Sequence, residues 1–194
     1  MQVTQRLRWA GFKWRAVLQL LLGRETAALA VFDAMLREFP GDAHAMASRA
    51  HVLAQLGRPD EALAAHRALV ESWPGVGAHW FNLGYLLEAR EDHAGAEAAF
   101  RRATELSPEL DRAWYGLGLV LIRFGRLDEA IDALKRNTKL QPMSPYGWYQ
   151  LARVHANRQE PEEARKIIRH LQRFEPKVAA QLERETGIAV SRGG

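Results

Sequence analysis

Residues 80–118 read WFNLGYLLEAREDHAGAEAAFRRATELSPELDRAWYGLG, and the stretch closes on nearly the words that open it. Trp80-Phe81-Asn82-Leu83-Gly84 returns as Trp114-Tyr115-Gly116-Leu117-Gly118, 34 residues later. Sliding the whole chain by the same step extends the match in both directions. Pro40, Pro74, Pro108, Pro142 and Pro176 share one phase of this period, and Pro59 and Pro161 share a second. A period of this length corresponds to one helix–turn–helix unit, which cannot bury its apolar face alone and is completed by stacking on its neighbours.

The period divides the chain into five gapless units, 9–42, 43–76, 77–110, 111–144 and 145–178. Position 20 of the unit is always alanine: Ala28, Ala62, Ala96, Ala130 and Ala164. Position 8 is always small: Ala16, Ala50, Gly84, Gly118 and Ala152. Position 4 is large and apolar: Phe12, Met46, Trp80, Trp114 and Trp148. Small residues at 8 and 20 let two helices approach closely, and the bulky residue at 4 fills the space beside them. Gly23, Gly57 and Gly125 at position 15 suit a left-handed helix C-terminus. Proline at position 17 fits the first turn of the second helix, where its missing N–H costs nothing. Proline at position 32 ends that helix.

A W-x2-L-G opening, alanine at 20, an aromatic at 24 (Phe32, Phe100) and proline at 32 resemble the tetratricopeptide-repeat family over about nine tenths of the chain. The resemblance implies an all-α, right-handed superhelical solenoid of five repeats, one domain over 1–188. A short capping helix is expected at 179–188 and a flexible tail at 189–194. The terminal units depart from the pattern: Arg15 and Arg49 stand where later units have Leu83, Leu117 and Leu151. Asn137 replaces a small or apolar residue at position 27, and His66 at position 24 reads as a packing residue.

Positions 2, 5, 9 and 12 of each unit form a helix face separate from positions 4, 8 and 11. In the resembled family this second face lines a concave groove, with positions 6 and 13 beside it. The lining residues singled out here are His44, His51, Phe81, Asn82, Tyr85, Arg112, Tyr115, Arg123, Tyr146, Tyr149, Arg153 and Asn157. All four tyrosines fall on this face, whereas the packing positions use Trp, Phe and Leu. Tyrosine and arginine anchor interfaces because they offer large contact area, few rotors and a polar handle. The expected partner is therefore a protein or peptide segment, acidic or aromatic in character. The family's two-carboxylate clamp does not carry over. Its pattern meets Ala47, His51, Asn82, Arg112 and Gly116 here, and only Asn82 and the basic Arg112 correspond.

The 194 residues carry a formal net charge of +4 and contain no cysteine. That excludes disulfides, thiolate nucleophiles and Cys-ligated zinc. His44, Ser48 and His51 share a helix face, but the set lacks an i,i+4 histidine pair and a carboxylate at ligand spacing. It also lacks the elbow and orienting acid of a serine nucleophile. No phosphate loop or dinucleotide fingerprint is present. The reading is a non-enzymatic scaffold or adaptor without cofactor or metal.

Basic residues scattered among acids do not favour nucleic acid. Arg6, Arg8, Lys13 and Arg15 precede a short apolar run interrupted by Gln19, which falls short of a secretory signal. The same residues lie near Trp9, Phe12 and Trp14, so the alternative reading is an assembly or targeting factor. Its N-terminal helix, with Val17, Leu20 and Leu21, would contact a membrane surface or membrane enzyme. The composition reads as bacterial, and the expected location is the cytoplasm or the periphery of the inner membrane.

Overall fold

The computed structural model of the chain describes residues 3–190. These residues form eleven helices: α1 (Val3–Leu21), α2 (Glu25–Glu38), α3 (Ala43–Gln55), α4 (Pro59–Ser72), α5 (Gly77–Ala89), α6 (His93–Leu106), α7 (Asp111–Arg123), α8 (Leu127–Leu140), α9 (Pro145–Asn157), α10 (Pro161–Gln172) and α11 (Pro176–Thr186). No strand occurs among the described residues. Each helix packs on the next in the chain, giving a solenoid. The odd-numbered helices also approach one another from α5 to α11, so they form the inner row.

The helix starts carry the sequence period. Even-numbered helices begin at Glu25, Pro59, His93, Leu127 and Pro161, and α3, α5, α7 and α9 each begin three residues after a phase-32 proline. Position 15 is left-handed in every unit. Gly23, Gly57 and Gly125 have φ of 64°, 67° and 69°, and Glu91 and Gln159 adopt 62° and 60° without the advantage of glycine.

The small residue at position 8 has a defined cause. A Cβ on Gly84 would lie 2.8 Å from the Phe100 ring, and one on Gly118 would lie 2.9 Å from Leu134. Position 8 therefore accommodates the bulky position 24 of the same unit, with the backbone of position 20 next in line. Position 4 has a second task beyond filling space. The indole N–H groups of Trp80, Trp114 and Trp148 donate to the carbonyls of Pro74, Pro108 and Pro142, each at 2.9 Å. Phe12 and Met46 cannot make this bond.

Buried Asn137 is explained by its neighbours. Its amide donates to the Asp111 carbonyl at 2.9 Å, and its Oδ1 sits where a side chain on Gly147 would have to go. On the outer side, Glu97 and Glu129 alternate with Arg101 and Arg126, linking α6 to α8 through contacts of 2.6 to 2.9 Å. The Arg126 and Arg101 guanidiniums hold the Glu129 carboxyl at about 2, well below its ordinary value.

Both ends depart from the sequence expectation. Helix α1 starts at Val3, six residues ahead of the repeat register, because residues 3–8 continue a helix-compatible pattern with no proline or glycine to stop it. At the other end α10 stops at Gln172, and the capping helix starts at Pro176 instead of 179. Pro176 occupies the first turn of α11, where proline is well accommodated. Ala189 and Val190, expected in a flexible tail, are held in place. The Val190 N–H donates to Glu183 at 2.8 Å, and its side chain is buried against Leu171, Ala179 and Leu182. The rest of the expected tail, 191–194, lies outside the described residues, as do residues 1 and 2.

Candidate functional site

The inner row of helices places the position-2, -5 and -9 side chains toward one another, as a 3.6-residue helix requires. Four of the residues selected from sequence, Phe81, Tyr85, Arg112 and Tyr115, converge on one recess between α5 and α7. Glu88, Phe100, Gly116 and Leu119 complete its lining, and its volume is 240 Å³. Its walls are almost wholly apolar. The Arg112 guanidinium stacks 5.0 Å from the Phe81 ring centroid at the rim. Arg123, also selected, does not line the recess but pairs at 3.3 Å with Glu88, which does.

The floor of the recess is Phe100. Phe100 belongs to the second helix of its unit, and its phase marks it as a packing residue. Yet a Cβ on Gly116 would stand 2.7 Å from its ring, as one on Gly84 would stand 2.8 Å. Phe100 is therefore wedged between two glycines on successive inner helices, and its ring reaches through to the groove. Phe81 lies over it with ring centroids 6.0 Å apart. The signal in the sequence is Gly116 itself, since position 6 carries a side chain in every other unit: Trp14, Ser48, Asn82 and Gln150.

A neighbouring recess brings His51, Asn82 and Tyr85 together with Ala54, Gln55, Leu86 and His66. His66 is buried, and its Nδ1 has no hydrogen-bond partner among the described residues. Desolvation, aided by His79 and His51, pushes its imidazole down to about 4, so it is neutral near pH 7. His44 is exposed at the start of α3 and joins neither recess. Among the described residues no three His, Asp or Glu side chains gather at metal-binding distance.

The remaining candidates lie at the C-terminal end, where α11 changes their surroundings. The Tyr149 hydroxyl donates to Glu185 at 2.6 Å, and Gln181 bonds the same carboxylate at 2.7 Å. Hydrogen bonding to that carboxylate raises the Tyr149 phenol above its ordinary value and lowers Glu185 below its own. The Arg153 guanidinium stands 5.6 Å from the Tyr149 ring. Tyr146 and Tyr149 share a small cleft with Val178 and Gln181, and Arg153 and Asn157 share a polar one with Glu185 and Thr186. Tyr149 and Arg153 thus belong to the closure of the solenoid as well as to its groove.

A helical-repeat solenoid with an aromatic recess on its inner row defines the class of protein: a stacked-repeat module that presents a concave surface. Family models described as tetratricopeptide repeat match residues 5–43 and 48–111, 87–148, and 145–170. The chain belongs to the tetratricopeptide-repeat family, whose fold typically serves as a non-enzymatic protein-interaction module. No curated protein matches the sequence. Among solved structures it is similar to a MamA protein, with 18% identity over 95% of this chain and 98% of that one and a TM-score of 0.78. It is also similar to MamA from Desulfovibrio magneticus RS-1, at 18% identity over 91% and 96% with a TM-score of 0.74. YrrB, described as a repeat protein with an unusual peptide-binding site, matches at 22% identity over 87% and 88%, TM-score 0.75. At these identities the likeness is one of fold.

Proposed function

We propose that the chain is a non-enzymatic scaffold that holds a peptide segment of a partner protein in its concave groove. An apolar side chain of the partner, aromatic or leucine-sized, enters the recess between α5 and α7. The observation that carries this reading is the recess itself: an apolar cavity of 240 Å³ lined by Phe81, Tyr85, Tyr115 and Leu119 at mid-groove. Pockets of this kind, apolar with a few placed polar groups at the edge, are where binding energy concentrates. Arg112 at the rim favours an acidic residue next to the anchor. Asn82 is exposed one helical step away and is suited to the backbone of an extended ligand.

The test is selection from a displayed random-peptide library on the wild-type chain and on Tyr85→Ala/Tyr115→Ala, with circular dichroism confirming equal helix content. Peptides sharing an apolar anchor beside an acidic residue, retained by wild type and lost by the variant, are the expected result. Equal retention by both proteins, or no enrichment at all, would sink the groove assignment.

A further inference from the structure

We infer that the outward face of α1 is a docking surface for an anionic lipid bilayer, independent of what the groove binds. Helix α1 is 19 residues long, against 13 in α3, α5, α7 and α9. It is amphipathic twice over. One face, with Trp9, Phe12 and Ala16, packs into the solenoid, and the Trp9 indole donates to Asp42 at 2.6 Å. The opposite face leaves Val3, Leu7, Trp14, Leu18 and Leu21 exposed by 75%, 69%, 71%, 53% and 80%. At 3.6 residues per turn these five side chains fall within an arc of about 60°. Trp9, Val17 and Leu20, which the sequence also offered for such a contact, lie outside that arc.

Charge flanks the stripe on both sides. The same helical projection puts Arg6 and Lys13 along one edge and Arg8 and Arg15 along the other. Helix α1 contains no acidic residue. The acids beside it are Asp42, which accepts from Trp9 on the packed face, Glu38, which pairs with Arg8 at 3.2 Å, and Glu25 in the first turn of α2. An apolar stripe between two cationic edges, on a helix whose far side is fixed to a folded body, matches the layering of an anionic bilayer. The stripe enters the acyl boundary and the cations lie at headgroup level.

The other occupants fit less well. Two α1 helices laid face to face would each bring four cations and no acid, so a second copy is opposed by repulsion. Head-to-tail stacking would need an open end on α10, and that end is covered by α11 and Val190.

The experiment is co-sedimentation of the full chain with vesicles of phosphatidylcholine alone or mixed with phosphatidylglycerol, at low and high salt. Two variants accompany it, Leu7→Ala/Trp14→Ala and Arg6→Gln/Lys13→Gln. Arg6, Leu7 and Trp14 are exposed and Lys13 is half-buried with its ammonium 5.3 Å from the Trp9 ring centroid, and alanine and glutamine both support helix, so the fold is retained. The wild type should sediment with the anionic vesicles and leave them at high salt, and each variant should partition about tenfold less. Tyr85→Ala/Tyr115→Ala should bind vesicles like wild type. A chain that stays in the supernatant, that binds both vesicle types equally, or whose binding survives Leu7→Ala/Trp14→Ala overturns the inference. So does a concentration-dependent dimer that the same variant abolishes while vesicles remain unbound, since a second copy is then the occupant.

Discussion

Tyr115 and Tyr149 occupy the same position of successive units, yet their surroundings have opposite character. Tyr115 lines the recess above Phe100, and no hydrogen bond engages its hydroxyl among the described residues. Tyr149 donates to Glu185, stacks near Arg153 and faces α11. The residue type and the phase are identical, and what differs is whether another helix covers that stretch of the inner row. In mid-groove the next helix stacks beside the position and leaves its face open. At the C-terminal end α11 supplies a partner, and the same phenol helps close the fold.

Removing the floor should break this contrast most severely. Phe100→Ala deletes a ring held between Gly84 and Gly116, and should cost about 3–5 kcal/mol in denaturant unfolding as well as peptide binding. Ile168→Ala, at the same phase beneath the covered end, should cost a comparable amount of stability and leave binding at the mid-groove recess intact. Loss of binding in the second variant would mean that the two ends are coupled.

The recess beside the central one differs in containing a buried histidine. His66 is neutral in the fold with its imidazole at about 4, whereas the unfolded chain takes up a proton below an ordinary value of 6.5. Its contribution to stability is therefore complete above pH 6.5 and declines as pH falls from 6.5 through 4. The loss should approach about 3 kcal/mol across that window. His66→Phe, which installs the residue found at this phase in Phe32 and Phe100, should flatten the difference in urea titrations at pH 7 and pH 4.5. An unchanged pH dependence would remove His66 as its source.

Smaller effects should separate the two tyrosines. Tyr115→Ala should weaken a groove peptide by about 2 kcal/mol in calorimetry with little change in unfolding. Tyr149→Phe should do the reverse, losing about 1 kcal/mol or less of stability through its bond to Glu185. The smallest change concerns position 15, where Glu91→Gly relieves a left-handed backbone at φ of 62°. It should raise the free energy of unfolding measured in urea titration by up to about 1 kcal/mol, whereas Gly57→Ala should lower it.

How far sequence carries can be judged from the same pairs. The 34-residue period and the fixed alanines give the helix order, because every unit meets the same neighbour and must satisfy the same contacts. Four of the selected groove residues meet in one recess for that reason. The period is silent wherever the neighbour changes. It marks Phe100 only as packing, since its place in the wall of the recess depends on a glycine in the following unit. It gives Tyr149 the same standing as Tyr115, since Glu185 lies beyond the last repeat. It also assigns Val190 to a tail and omits the first six residues of α1, where no repeat constrains the chain. Trp9 and Trp14 show the remaining ambiguity. Both are bulky residues on one helix, and only packing decides that one is tied to Asp42 and the other stands in solvent.

The bonds from Trp80, Trp114 and Trp148 to the preceding proline carbonyls have a mechanical consequence. Each is a brace between a turn and the helix that follows, and it fixes the pitch of the coil at that joint. Met46 leaves the joint between α2 and α3 without this brace, and Phe12 stands in the first described helix, which no turn precedes, so the molecule is a spring of uneven stiffness, more compliant toward the N-terminus than toward the C-terminus. Stretched from its ends, it should lengthen first through α1 to α4 while the recess between α5 and α7 keeps its shape.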